Sequence, residues 1–590
     1  MMTQRVNPHG PVVRADGTVR FRWWAPGCRM ASLEILGESA PLPMTALGNG
    51  WFELVTERAA AGSRYWFVMP DGRRVADPAS HFQPDDVHGP SELIAPMSAD
   101  TGWVGRPWEE AVIYELHVGT FTPEGTFRAA ISKLDHLAAL GITAIELMPI
   151  AEFPGKRNWG YDGVLLYAPE ATYGRPEDLR ALVDAAHARG LMVLLDVVYN
   201  HFGPEGNYLH LYAPAFFTER HHTPWGAAIN FDGATSGPVR DFFIHNALYW
   251  VERFGIDGFR LDAVHQIKDD SPKHIVVEIA ERVREAAGDR PVHLLVENEE
   301  NQAGWLERDA ANRPAVCTAQ WNDDAHHVLH TALTGEGKAY YAEYLGDSEK
   351  LGRALAEGFA FQGETMEYRE RARGEVSAHL PPTAFVAFLQ NHDQIGNRAF
   401  GDRVVTESSR ESLRAAAAVY LLLPQIPMLF MGEEWNTSRP FPFFCDFGCD
   451  LADAVRNGRR REFARFPEFQ DPAQQERIPD PQAKATFEAG KLRWEELSEP
   501  DHADWLAWYR RILAVRRERI VPLLPKIRRG GSYEVVAPEV VIVRWAVEGA
   551  GELVLAANLT GEGTPGFPCV TGELIWVEGD RVAWWLEPGA

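Results

Sequence analysis

Five cysteines in 590 residues, at Cys28, Cys317, Cys445, Cys449 and Cys569, are too few, too scattered and odd in number for a disulfide framework. That usage suits a reducing cytoplasm. Cys445 and Cys449 form the one close pair, and no second pair or His-x-x-x-His cluster completes a zinc site around them. Positive charge is also scarce: 58 Lys and Arg stand against 83 Asp and Glu, a net charge of −25. A nucleic-acid scaffold needs the opposite surplus, so no nucleic-acid partner is expected. No apolar run reaches the ~20 residues of a membrane span, and residues 1–13 lack the apolar core of a secretion signal. Neither a membrane partner nor export is expected. Both phosphate-cradling glycine patterns, G-x-G-x-x-G opening a first βα turn and G-x-x-x-x-G-K-[ST], are missing.

What is present is an ordinary globular composition, 45% hydrophobic and 24% charged, in a chain of 66.0 kDa that is too long for one core. Its 19 Trp, 16 Tyr and 30 Phe mildly favour ligands with apolar faces, such as sugars.

Three textures follow one another. Residues 12–108 carry short aromatic and β-branched runs at 21–26, 51–55 and 64–68, separated by Gly48-Asn49-Gly50 and Asp71-Gly72, which reads as a small β-sandwich. The Pro-containing stretch 77–98 then suits a linker or a packed loop. From 111 to 434 apolar runs alternate with helical patterns. In 176–190, Pro176 starts a helix, Glu177 and Asp178 sit in its first turn, and Leu179, Leu182, Val183 and Ala186 line one face before Gly190.

Eight runs at 112–118, 142–148, 191–198, 258–262, 292–297, 315–320, 384–389 and 427–431 predict the strands of a (β/α)₈ barrel. An open doubly wound sheet is the rival, disfavoured by the missing glycine fingerprints. Residues 435–499 read as an irregular insertion whose Arg459-Arg460-Arg461 run forms a solvated loop face, 505–519 as a helix closing the barrel, and 540–547, 552–557 and 574–577 as C-terminal strands. The expected division is 1–108 as N-terminal β-sandwich, resembling a carbohydrate-binding module, plus linker. The barrel then takes 109–520, with a long insertion after its eighth strand, and a C-terminal β-sandwich takes 521–590.

A barrel works at the carboxyl ends of its strands. The third run ends Asp196-Val197-Val198-Tyr199-Asn200-His201, the fourth Gly258-Phe259-Arg260-Leu261-Asp262, the fifth Leu294-Leu295-Val296-Glu297-Asn298 and the seventh Asn391-His392-Asp393-Gln394. Any one of these acids alone reads as a helix cap. Three of them with Arg260, His201 and His392, converging from different strands, do not. Glycoside hydrolysis needs one ionised and one protonated carboxyl. Arg260 lies two residues before Asp262, on the same strand face, so its guanidinium holds Asp262 ionised as a nucleophile. Glu297 has no cation beside it in sequence, and Glu299 and Glu300 add like charge, so it serves as proton donor.

These four strand ends resemble the signature regions of the α-amylase family, glycoside hydrolase family 13, whose members are retaining (β/α)₈ enzymes. The resemblance covers nearly the whole chain. It implies Asp262 as nucleophile, Glu297 as general acid/base and Asp393 as the third carboxylate, gripping sugar hydroxyls. It implies sugar contacts from His201, Arg260 and His392, from Tyr161 and Asp162 in Asn158-Trp159-Gly160-Tyr161-Asp162, and from His265, Gln394 and Asn397.

Within the family, the closer likeness is to the trehalose-releasing branch. It rests on Asp77-Pro78-Ala79-Ser80-His81-Phe82-Gln83-Pro84, Val87-His88-Gly89-Pro90, Gln320-Trp321-Asn322-Asp323-Asp324 with His326-His327, Met431-Gly432-Glu433-Glu434-Trp435 and Pro479-Asp480-Pro481-Gln482. It implies a maltooligosyl-trehalose substrate, supplied by a synthase that forms it. Asn322, Asp323, Asp324 and the Glu433-Glu434-Trp435 turn are then the candidates for holding the trehalose end, and His326 and His327 are further substrate-binding candidates. A glucan branching enzyme is the alternative of the same plan, and a glucan-binding protein without catalysis the third. The chain departs from the pattern at Glu299 and Glu300, where Asp is expected. Asn200 matches an α-amylase calcium ligand, but 203–236 is too short to build the calcium-binding domain, so no metal or other cofactor is expected.

Overall fold

The computed structural model describes residues 7–97, 102–560 and 572–589. Cys569 lies outside them, as do the first six residues of the segment considered for an export signal. All eight apolar runs become strands of one closed parallel barrel: β1 (Ile113–Leu116), β2 (Ala144–Leu147), β3 (Met192–Val197), β4 (Gly258–Leu261), β5 (His293–Val296), β6 (Ala319–Trp321), β7 (Phe385–Ala387) and β8 (Ile426–Phe430). They pair in chain order and β8 closes on β1. The sixth strand starts four residues later than expected. Arg308 takes the carbonyls of Cys317 and Thr318, and the Cys317 amide donates to Trp305, so the apolar stretch 315–318 is loop.

Register sorts the barrel interior, because residues paired across a ladder face the same side. Ile113 opposes Ala144 and Ala144 opposes Met192; one level higher Glu115 opposes Glu146, and Asp196 opposes Arg260. The lower interior is therefore an apolar plug of Ile113, Ala144, Met192, Leu194, Leu295 and Ala319 with their neighbours. The upper interior is charged. Strands covered on both faces can carry polar residues only at their open ends, and here these sit at the carboxyl end.

The surrounding elements pack around this ring. The helix Pro176–His187 buries Leu179, Leu182, Val183 and Ala186 as its periodicity predicts. The helix Pro500–Val515 runs on through 516–520, where buried Arg516 donates to the carbonyls of Leu421, Leu423 and Gln425 at the end of the helix Arg410–Leu422.

N-terminally, two antiparallel sheets face each other, Trp23 stacking on Phe67 at 4.8 Å and Phe21 meeting Tyr65 edge-on. The stretch after them is packed rather than loose. Asp77, Ser80, His81, Phe82, Gln83 and Val87 are buried, and His81 stacks on Tyr249 of a barrel helix at 4.8 Å. The C-terminal strands form one five-stranded antiparallel sheet. Where a sandwich was expected, helices supply the second layer: Trp545 and Trp584 donate to the carbonyls of Ala356 and Ala418, on the helices Ser348–Glu357 and Arg410–Leu422.

The arginine run is not a solvated loop. It lies on the helix Cys449–Phe463, where the Arg459 side chain is 9% exposed, donates to the carbonyls of Gly396 and Arg398, and lies over the Phe463 ring at 4.6 Å. Among the described residues no helix is long and apolar enough to cross a membrane.

Candidate active site

The barrel twist brings the ends of β3, β4 and β5 onto one guanidinium. Arg260 Nη1 donates to Asp196 Oδ2 at 2.8 Å and to Asp262 Oδ1 at 2.9 Å, and Nη2 donates to Glu297 Oε2 at 2.8 Å. The expected division of labour is thereby corrected. Arg260 was to serve Asp262 while Glu297 stood without a cation; in space it serves both, because neighbouring parallel strands place 260 and 297 at adjacent levels. The Arg260 guanidinium also lies 4.3 Å over the Trp321 ring of β6, which fixes its plane.

Just past Asp262 the chain turns sharply. Ala263 adopts φ 40°, ψ 53°, a left-handed conformation rare for a side-chain-bearing residue. The turn aims its N–H at Glu297 Oε2, at 2.9 Å. Glu297 Oε1 makes no hydrogen bond with the described residues. On the other side Asn200 Nδ2 donates to Asp262 Oδ2 at 2.7 Å while its Oδ1 meets His201 Nδ1, and His201 Nε2 meets the Tyr161 carbonyl at 3.1 Å. The amide at the α-amylase calcium-ligand position thus orients Asp262.

The third carboxylate arrives from β7. His392 sits between Glu115 of β1, on its Nδ1, and Asp393 Oδ2, 3.4 Å from its Nε2. Asn397 donates to Asp393 Oδ1 at 3.1 Å. The Tyr161 ring stacks on His392 at 5.1 Å, and its hydroxyl donates to Asp196 Oδ2 at 2.6 Å. Asp262, Glu297, Asp393, Tyr161, His201, Arg260, His392 and Asn397 therefore form one connected constellation. Asp162, bound by Asn158, and Gln394, whose amide lies 3.4 Å from Asp323, stand at its edge. His265 points toward Glu299, 3.8 Å away.

The end of β6 divides. Asp323 joins the site. Asn322 does not: it caps the helix Asp323–Thr334 and donates to the Gly358 carbonyl and Gln425. Asp324, fully buried, is taken by Arg373 at 2.6 Å, Tyr344, Asn301 and the Ala360 amide. His326 is spent on the Leu389 carbonyl and Tyr341, and His327 lies 3.9 Å from Asp324 among the rings of Tyr340, Tyr341 and Tyr344.

These four stand behind the site rather than facing a sugar: the cap role holds Asn322, and helical geometry turns Asp324, His326 and His327 into the protein. The turn after β8 is equally committed. Glu433 binds Tyr420, Tyr509 and Gln390, Glu434 binds Tyr114 and His136, and Trp435 donates to Glu496. Glu299 and Glu300, expected to press charge on Glu297, are paired instead with Arg369 and Arg371.

Burial, reinforced by the charges of Asp262, Asp393 and Asp323, pushes the Glu297 carboxyl well above its usual range, against the pull of Arg260. Burial would raise Asp393 too, but the His392 imidazolium reverses that and brings it down to about 2. Burial lifts Asp323 to about 7 and Asp196 to about 6. One strongly raised and one depressed carboxyl in a single cleft is the division of protonation that acid–base chemistry uses.

Glu146 is the surprise. Both its oxygens are buried without a protein partner beside Glu115, Asp196 and Arg260, and its carboxyl is likewise pushed well up, first by burial. Its place inside a continuous apolar run gave no signal. Glu115, Trp321 and Trp225, which stacks on His201 at 4.4 Å, carry no sequence signal for the site either, and the sequence marks Asn200 only as resembling a calcium ligand. Among the described residues two clusters have the spacing of metal ligands, His221/Asp232/Asp270 and His330/Glu336/Glu407; Arg220 contacts both carboxylates of the first and Arg398 both of the second, and neither includes a carboxylate of the cleft.

Comparisons with known proteins agree with this architecture. The family model for the α-amylase catalytic domain matches residues 97–246 and 234–494, and a domain of unknown function, DUF3459, matches 528–583. A malto-oligosyltrehalose trehalohydrolase of Deinococcus radiodurans is 43% identical over 559 residues, covering 93% of this chain and 88% of its own. One from Saccharolobus solfataricus is 43% identical over 85% of this chain and 86% of its own. A crystal structure of a candidate alpha amylase from Salmonella typhimurium superposes with a TM-score of 0.93 at 45% identity, covering 98% of this chain and all of that one. A 1,4-alpha-glucan branching enzyme of Corynebacterium jeikeium is 33% identical, over 71% of this chain and 61% of its own.

Proposed function

The chain belongs to the malto-oligosyltrehalose trehalohydrolases of the α-amylase family, and from that premise we propose how its cleft works. The enzyme cleaves the α-1,4 bond next to the terminal trehalose of a maltooligosyl-trehalose, releasing trehalose and a maltooligosaccharide. Relatives of that name matching over nearly the full length of both chains carry this reading, and the shorter, weaker match to a branching enzyme leaves transfer as the second reading.

Asp262 attacks the anomeric carbon while Glu297 gives its proton to the departing glycosidic oxygen. Trehalose leaves with that proton, and a glycosyl ester remains on Asp262. Glu297, now ionised, takes a proton from water, whose oxygen displaces Asp262 and restores the carboxylate. Retention needs carboxyl groups about 5–5.5 Å apart rather than ~6.5–9.5 Å. Two carboxylates bound to the two nitrogens of one guanidinium support the closer spacing. Asp393, ionised beside His392, grips sugar hydroxyls and answers the positive charge that develops on the ring. The chemistry needs no bound metal.

An enzyme that forms maltooligosyl-trehalose must supply this substrate, and the sparse cysteines fit work in the cytoplasm. Product analysis tests the reading. Maltotriosyltrehalose should give trehalose and maltotriose, the α-anomer first, at ~10-fold or more above the rate on maltopentaose, as one or two hydrogen bonds of ~1 kcal/mol predict. Equal rates would indicate a general amylase, and α-1,6 branches on amylose a branching enzyme.

A further inference from the structure

Asp393 sits on a helix too short to hold itself. His392–Gly396 is little more than one turn, and a single turn fixes much backbone for few hydrogen bonds of its own. Its first amides are capped, because the Asn391 side chain accepts from Asp393 and Gln394 at 2.9 and 3.2 Å. Its last carbonyls have no further turn beyond them, so they need donors from elsewhere. Between those carbonyls stands Asn397, whose side chain donates to Asp393 Oδ1 at 3.1 Å. A shift at the helix end therefore reaches the carboxylate directly.

Arg459, from the insertion after β8, supplies the donors. Its Nη2 donates to the Gly396 carbonyl at 2.7 Å and to the Arg398 carbonyl at 3.1 Å, on either side of Asn397. A cation there also meets the negative end of the helix dipole. The guanidinium is itself held. Nη1 donates to Glu462 at 3.2 Å, and the group lies over the rings of Phe463 and Phe443 at 4.6 and 5.7 Å. Arg456, one turn earlier on the same helix, donates to Asp480 at 2.6 Å. Phe443 leads back to the Asp393 helix, since it meets Trp159 edge-on at 5.1 Å and Trp159 meets His392 edge-on at 5.4 Å. Trp159 lies so close that a Cβ on Gly396 would stand 1.9 Å from its ring. Segment 392–398 is thus gripped twice, by Arg459 at its carbonyls and by Trp159 at its side.

We propose that Arg459 is a positioning residue of the reaction: by holding the carbonyls that flank Asn397, it sets the orientation of Asp393. A carboxylate that answers charge developing on the sugar ring works only when its geometry is fixed in advance. This rests on the role given to Asp393 above.

A double-mutant cycle tests it. Arg459→Ala should lower kcat on maltotriosyltrehalose by about thirtyfold and change KM by less than about threefold, as a misplaced group that acts in the transition state predicts. Maltopentaose and α-maltotriosyl fluoride should lose the same factor, because Asp393 serves the sugar under attack in all three. In an Asp393→Asn background, measured on the fluoride, Arg459→Ala should cost less than about threefold, since the group it places is gone. Arg459→Lys, which keeps a cation beside the carbonyls and with it the fold, should show the same cycle with a smaller loss. Arg461→Ala, at an exposed position of the same helix, should match the wild type. Equal loss in both backgrounds, a change confined to KM, or a loss in Arg461→Ala as large as in Arg459→Ala would each overturn the assignment. Failure of the reading of Asp393 shows separately, as Asp393→Asn alone keeping the wild-type kcat.

Discussion

Arg260 and Arg373 are both buried, both aromatic-flanked and both bound to a strand-end aspartate, yet they do opposite work. Arg260 is shared by Asp196, Asp262 and Glu297, so the site holds more carboxyls than it can neutralise and Glu297 keeps a proton. Arg373 meets one carboxylate, Asp324, and donates besides to the Tyr344 hydroxyl and the Glu299 carbonyl. Burial would raise Asp324, but Arg373 reverses this and holds its carboxyl well below the usual range. A surplus of acids over cations creates a group ready to give up a proton, while a closed pair creates a strut.

The largest effects should come from the surplus side. Asp262→Asn and Glu297→Gln should each lower kcat by ~10³-fold or more, because one removes the nucleophile and the other the donor. Both changes are nearly isosteric, so thermal midpoints should hold. A glycosyl fluoride needs little protonation to leave and should partly rescue Glu297→Gln but not Asp262→Asn. Equal rescue of both would erase the assigned roles.

The strut should fail differently. Asp324→Ala strands Arg373 as an uncompensated buried charge, a loss of about 3–5 kcal/mol measured as a lower urea midpoint. Activity per folded molecule on the fluoride should stay within about threefold, since Asp324 touches no reacting group. A catalytic loss at unchanged stability would move Asp324 from the scaffold to the site.

How much of this contrast was legible in the sequence follows from what sequence spacing encodes. Strand ends are encoded by apolar runs, so Asp262, Glu297, Asp393 and their barrel could be read from the chain. The level each residue occupies after the barrel closes is not encoded. Arg260 therefore looked like a partner of Asp262 alone, although the register also sets it beside Glu297. Helix direction misled at the end of β6: Asn322, Asp323 and Asp324 are consecutive, and one turn sends only Asp323 to the cleft. Partners contributed from 340–375 were equally invisible, because nothing in the spacing joins Arg373 to Asp324 across 49 positions. Likewise Arg459 resembles solvated charge in the sequence, yet carbonyls 63 and 61 positions away claim it, and Glu146 is hidden by the apolar residues around it.

The smallest effect, and the sharpest test of the comparison, lies in two adjacent aspartates. Burial lifts Asp323 to about 7, so it is neutral on the acid side of that value and charged above it. Its charge is among those raising Glu297, hence it helps the donor keep its proton only in the alkaline half of the profile. Asp323→Asn keeps the shape and removes the charge. The alkaline limb of kcat/KM should therefore move to lower pH, with the rate at the optimum changed by less than about threefold.

Stability should follow with opposite signs at the two residues. Asp323 has a folded value above its unfolded value of 3.8, so its contribution is complete below 3.8 and is lost as pH rises through about 7. Asp324 has a depressed folded value, so its contribution is present above 3.8 and is lost only as pH falls further. Unfolding midpoints between pH 4 and 8 should thus lose part of their decline in Asp323→Asn. In Asp324→Asn the loss of stability should be present across that whole range. A limb that moves upward, or neighbours that share one slope, would mean that Asp323 and Asp324 belong to the same network after all.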